Sequence, residues 1–438
     1  MKRLMMDELI QWRNKENRKP LILQGVRQCG KTYLLKEFGE RFYEDVAYYK
    51  FDTDKQIAQV FEKNLYPHRI MEDLSLQREK TIRPGKTLVI FDEAQACYAA
   101  LTSLKYFQEE APEYHVIAAG SLLGVAKPQP PYSFPVGKVD MLTLFPMSFK
   151  EFLIANGREM LVRRMDEGGD YSGFSAMLKE YLERYYIIGG MPEAVRDWVE
   201  NKDIERVDEI LARILDGYEA DVSKHAPRGD FPKISAIWNS IPKQLAKENQ
   251  KFIFSQVKSS WRAKDLEDAL WWLARAGMVY KLELVKTPLM PLKAYADATH
   301  FKLFACDVGL MRKLAGVAPA VIMDNTGNYT SFKGSMTENY AFCELKNIYG
   351  SIYYWRSDNS AEVDFLVQDE ADVVPVEVKS SKAKSAQSLS QYCKKYKPGK
   401  SLLTSLEQKS GTLPLYALWT IKNWLKDKGG KTEGDWLT

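Results

Sequence analysis

The sequence predicts an α/β protein in three parts: a parallel sheet covered by helices on both faces over residues 1–155, a helical middle over 156–325 and a second α/β unit over 326–438. Three observations carry this expectation. Short apolar runs alternate with helical periods in the first third, the pattern of a buried parallel sheet. Helical periodicity then takes over from Ser148 to about Lys224. Strand-like runs return in quick succession near the C-terminal end.

The elements follow in order. Residues 1–17 read as a short amphipathic helix. PLILQG is an apolar strand ending in glycine; GVRQCGKT follows, then YLLKEFGERFYE at helical period. VAYYKFD, TLVIFDEAQ and HVIAAGS are three further strands, with a fifth at VDMLTLFP. The middle is helical, punctuated by Gly189, Gly190 and Pro192. Residues 230–285 read helix, turn, helix and a β-like pair at MVYKLELV, a winged-helix pattern. The helix KGSMTENYAFCELKNIYG leads into strands IYYWRS, AEVDFLVQ and VVPVEVKSS, a helix SAQSLSQYCKKY, a late strand SLLTS and a final helix WTIKNWLKD.

Composition bounds the function. At ~100–200 residues per domain, 438 residues suggest a small number of domains with ordinary cores, since 45% of side chains are hydrophobic and 27% charged. The 62 basic and 58 acidic side chains nearly balance, giving a formal charge of +4, so any basic surface is local. Five scattered cysteines show no CxxC or Cys/His spacing, which argues against structural zinc and suits a reducing cytoplasm. The opening MKRLMMDELIQW does not read as a signal peptide, and no apolar run is long enough to span a membrane.

Gly25, Gly30, Lys31 and Thr32 fit GxxxxGK[ST] with a strand before and a helix after. The glycines let backbone N–H groups surround phosphates, and the helix start presents its positive dipole end. Lys31 is positioned to neutralise phosphate charge and Thr32 to ligate Mg²⁺. In TLVIFDEAQ, Asp92 ends a strand where it can hold Mg²⁺, and Glu93 suits a base or positioner of attacking water. A nucleotide kinase would not need that second acid. Ser121, after HVIAAG, suits a sensor of the γ-phosphate or of water, or is a simple strand-end turn. Arg27 either reaches a phosphate or folds back; the sequence does not decide.

GVRQCGKT, TLVIFDEAQ, AAGS and LFPMSFKEFL resemble prokaryotic AAA-type ATPases related to archaeal and STAND-type ATPases, over residue 18 to about 155. The resemblance implies a 5-1-4-3-2 strand order and ATP as the nucleotide.

A second constellation lies near the C-terminal end. Glu377 and Lys379 share one face of a strand, with Val378 on the other. With Asp364 on the preceding strand they make a set that can hold Mg²⁺ and orient a water. Glu338 can add a carboxylate from the preceding helix, and Gln391 and Tyr392 lie on the next. This order resembles the PD-(D/E)xK nuclease superfamily, which implies a restriction-endonuclease-like fold with Asp364, Glu377 and Lys379 as catalytic residues. GGMPEAV, FKLFACDVGLMRKL and EVDFLV resemble an uncharacterised domain commonly fused to this ATPase.

Lys379, Lys382, Lys384, Lys394, Lys395, Lys397 and Lys400 form a basic run that suits a phosphate backbone or a solvated face. The helix AKDLEDALWWLARAG carries Asp265, Glu267 and Asp268, which suit a structural or protein-binding role better than base reading. The four histidines form no ligand set. The sequence therefore points to an ATP-hydrolysing protein acting on DNA through a nuclease-like domain. The alternative is a regulatory ATPase whose C-terminal domain is inactive and binds a protein or nucleic acid.

Overall fold

The computed structural model describes residues 1–121, 132–227, 229–246, 251–323, 330–357, 361–381, 386–407 and 411–427. Lys382 and Lys384 of the basic run lie outside these residues. The chain divides into two compact units: Met1–Pro146 with residues 275–277, and Met147–Ala274 with Met278–Thr438.

The first unit is built on five parallel strands: β1 (Leu21–Gln24), β2 (Asp45–Lys50), β3 (Thr87–Asp92), β4 (His115–Gly120) and β5 (Asp140–Thr143). Their spatial order is β2-β3-β4-β1-β5, the order implied by the ATPase resemblance. Every residue of β3 is buried, as expected where helices cover both faces. Phe51, Phe61 and Phe91 pack edge to face in the core, with ring centroids 5.5–5.7 Å apart. Crossing parallel strands brings the loops after β1, β3 and β4 to the same sheet edge, where α/β folds place ligands.

The second unit combines a helical region with a mixed seven-stranded sheet. Its strands are β6 (Val279–Val285), β7 (Ala296–Ala305), β8 (Ile352–Arg356), β9 (Glu362–Asp369), β10 (Asp372–Lys379), β11 (Leu402–Ser405) and β12 (Leu413–Pro414). The order is β12-β11-β10-β9-β8-β6-β7. The β-like pair expected within MVYKLELV as the wing of a winged helix is one strand, β6, and not a hairpin. β6 bonds antiparallel to β7 and parallel to β8, so the sheet runs continuously across residue 325. The reason is the burial of Val279, Leu282, Leu284 and Val285, which leaves β6 an interior strand rather than a two-stranded ribbon.

The glycine and aspartate motifs of this unit are structural. Asp307 caps the helix Val308–Leu314 by accepting from Leu310 N at 2.8 Å, and also accepts from Gly190 N at 2.6 Å. A Cβ on Gly190 would lie 2.0 Å from Met147 O, which explains why no larger residue fits there. Burial raises the Asp307 carboxyl to about 6.

Candidate functional site

The loop between β1 and the helix Lys31–Phe42 has the local geometry its motif requires. Gly30 adopts φ 95°, a left-handed conformation that favours glycine, and no side chain caps the helix it starts. The first-turn N–H groups therefore face outward as an anion site. A Cβ on Gly25 would meet Leu144 O at 2.2 Å, so glycine is dictated by close approach. Lys31 Nζ donates to Gly25 O at 2.8 Å and Val26 O at 2.9 Å, which holds the ammonium over the loop. Arg27 is exposed.

The end of β3 meets this loop. Asp92 is 2% exposed, and its Oδ2 accepts from Thr32 Oγ1 at 2.7 Å and Tyr48 OH at 2.6 Å. Its Oδ1 accepts from Glu93 N at 3.0 Å. Burial and the Asp92 carboxylate raise the Tyr48 phenol, so it stays a donor. Sequence reasoning missed Tyr48; its only signal is its place in a short strand beside the acid-bearing one. Glu93 adopts φ 51°, uncommon for a non-glycine residue and a form of strain that clusters at functional sites. Its Oε2 accepts from Gln95 Nε2 at 2.5 Å. Ser121 is buried just past β4, the strand between β3 and β1. The oxygens of Thr32 and Asp92 and the uncapped helix start fit Mg²⁺ and a phosphate chain.

Residues 17–153 match a family described as an AAA domain. The chain carries an AAA-type P-loop ATPase domain. Such a domain takes ATP and Mg²⁺ in general. Residues 179–320 and 333–417 match two domains of unknown function, DUF8612 and DUF4143. The uncharacterized protein MJ1544 of Methanocaldococcus jannaschii is 22% identical over 357 residues, 79% of this chain and 71% of that protein. Among solved structures, the Walker-type ATPase PABY2304 of Pyrococcus abyssi is 15% identical, over 72% of this chain and 95% of that one, with a TM-score of 0.45. The ORC2 protein of Aeropyrum pernix is 14% identical, over 74% of this chain and 92% of that one, with a TM-score of 0.32. No helix among the described residues is long and apolar enough to cross a membrane.

The C-terminal constellation also converges. β9 and β10 pair antiparallel with Val376 opposite Phe365, a register that carries Asp364 beside Glu377. Lys379 Nζ donates to Glu377 Oε1 at 2.6 Å, consistent with their shared face. Asp364 Oδ2 accepts from Val378 N at 2.7 Å. Glu377 is 3% exposed, and its Oε2 is buried without a hydrogen-bond partner among the described residues. Burial, then the Asp364 charge, pushes Glu377 up to about 8. Burial also raises Asp364. Glu338 reaches the cluster from the helix Thr330–Ile348, but toward a residue that sequence reasoning missed: Lys302, 3.7 Å from its Oε2. Lys302 also pairs with Glu362 Oε1 at 2.6 Å. Its signal was a lysine inside the apolar strand FKLFA. Tyr392 is buried against Trp355, whereas Gln391 is exposed.

The residues expected to ligate a nuclease metal thus come together with their own ammonium groups. No group of three or more His, Cys, Asp or Glu side chains among the described residues is arranged to hold a metal ion. The set does not fit a ready-made metal cage.

Proposed function

We propose that this chain binds and hydrolyses ATP with its first unit and engages DNA with its second. The observation that carries the ATPase reading is the Thr32–Asp92 bond at an uncapped helix start. In this reading Gly25 and Gly30 shape the loop, Lys31 neutralises the phosphates, and Thr32 and Asp92 hold Mg²⁺. Magnesium, when bound, supplies charge neutralisation on the phosphate oxygens. Glu93 accepts the proton of the attacking water or orients it, and Ser121 contacts the γ-phosphate or that water. Glu93→Gln keeps the shape and removes the basic oxygen. It should bind ATP as the native protein does and turn over ~10²–10⁴-fold more slowly. A native turnover rate in this variant would assign the water to another residue.

The DNA reading is supported by the exposed Lys394, Lys395 and Lys397 on or just beyond the helix Gln387–Tyr396, close in sequence to the nuclease-like strands. That helix packs against β9 and β10, the strands that carry Asp364, Glu377 and Lys379. Binding without cutting is the reading favoured here, because Lys302 already pairs with Glu338, one of the carboxylates expected to hold a metal, and with the neighbouring Glu362. Nicking of plasmid DNA in Mg²⁺ or Mn²⁺ that disappears in Asp364→Ala would restore catalysis by Asp364, Glu377 and Lys379. Absence of any salt-sensitive DNA binding would favour a protein partner instead. For that, the helix Ala263–Arg275 offers Trp271, 52% exposed beside exposed Glu267 and Asp268.

A further inference from the structure

Lys302 lies on β7 with Phe301, Leu303 and Phe304 buried around it, and is itself only 1% exposed. A buried ammonium is costly unless carboxylates pair with it. Two elements supply them. β9 gives Glu362, whose Oε1 lies 2.6 Å from Nζ, and the helix Thr330–Ile348 gives Glu338, whose Oε2 lies at 3.7 Å. The ring of Tyr354 lies 5.2 Å from the ammonium, with its electron-rich face as a further stabiliser. Burial opposes the charge on Lys302, but Glu338, Glu362 and Asp364 outweigh it and raise its pKa. Three elements of the nuclease-like unit therefore converge on one fixed positive charge.

A divalent metal at these carboxylates would need their oxygens within about 2.0–2.6 Å of it. An ammonium already bonded to Glu362 and paired with Glu338 fills that space and repels a second cation. Glu377, the remaining acid, is paired with Lys379. We propose that Lys302 is the resident cation of this cluster, occupying the place a divalent metal would take among Glu338, Glu362 and Asp364, so that the native site works without metal. The inference rests on the nuclease-like arrangement of the carboxylates and not on DNA being the partner.

The test counts Mn²⁺ bound to the nucleotide-free full-length chain by electron paramagnetic resonance. Each protein is compared with its Asp364→Asn counterpart, so that any ion at the phosphate loop cancels. The native chain should show no Mn²⁺ that Asp364→Asn removes. Lys302→Met, which keeps the apolar stem and deletes the charge, should gain a Mn²⁺ that the added Asp364→Asn substitution abolishes. Circular dichroism checks that each variant is folded. Native Mn²⁺ binding that is lost in Asp364→Asn would overturn the proposal, as would a folded Lys302→Met with no gain. If Lys302→Met does not fold, the native comparison with Asp364→Asn still decides. DNA binding measured on the same samples separates failure of the DNA reading from failure of this one.

Discussion

Glu344 offers a prediction with a magnitude set by its surroundings. It is 2% exposed on the helix Thr330–Ile348 and accepts from Phe149 N, the first residue of the helix Phe149–Ala155, at 2.8 Å. Burial, opposed by that N–H and reinforced by Glu151, raises its carboxyl from 4.5 to about 7. The folded chain thus binds more protons than the unfolded chain between these values, so stability is greatest below 4.5 and falls as pH rises through about 7. At 1.36 kcal/mol for each pH unit of that gap, the full cost of ionising Glu344 is roughly 3 kcal/mol. Glu344→Gln keeps an acceptor oxygen for Phe149 N and removes the ionisation. Its stability relative to the native chain should therefore improve by roughly 2 kcal/mol or slightly more between pH 5 and pH 8. Urea unfolding followed by tryptophan fluorescence reads this directly, because all of the 10 tryptophans except Trp12 lie beyond residue 146. Asp307 titrates in the same range in both proteins and cancels in the comparison. Parallel stability–pH curves for the two proteins would show that Glu344 is already ionised in the fold, and the argument from burial would fall.

Lys31→Ala should weaken MgATP binding by ~1.5–3 kcal/mol or more, since a charge-assisted contact to the phosphates is lost; calorimetric titration with unchanged affinity in a folded variant would reject the site. Gly190→Ala should destabilise the second unit by roughly 1–3 kcal/mol, because its Cβ would meet Met147 O at 2.0 Å; a native urea midpoint would show that the backbone yields there. Reversing the charges of Lys394, Lys395 and Lys397 together should weaken DNA binding and flatten its salt dependence, because fewer counterions are released; a filter-binding isotherm unchanged across salt concentrations would remove this helix from the interface.

How far the sequence reached differs between the two sites, and particular residues show why. The phosphate loop was legible because its requirements are local. Gly30 supplies a left-handed turn, Lys31 and Thr32 start the next helix, and Asp92 ends an apolar strand, each within a few residues of its determinants. The strand order followed only from resemblance, yet it is the order observed. Asp364, Glu377 and Lys379 were also legible, since period-two alternation places Glu377 and Lys379 on one face. MVYKLELV reads as a β-like wing pair because a short apolar run does not reveal where its strand partners lie; it is the single strand β6, paired with β7 and β8.

By itself the sequence determined the strands and helices of the first unit, the phosphate loop and the residues of the nuclease-like pattern, because these depend on backbone geometry and side-chain period over short distances. Only the tertiary structure decided what surrounds them. Tyr48 reaches Asp92 from a neighbouring strand, Glu344 meets a backbone N–H 195 positions away, and Lys302 enters the carboxylate cluster from β7. Such partners leave no periodic trace. Buried polar groups must find a counter-charge or a hydrogen bond wherever packing brings one near, and that choice is made by the whole fold.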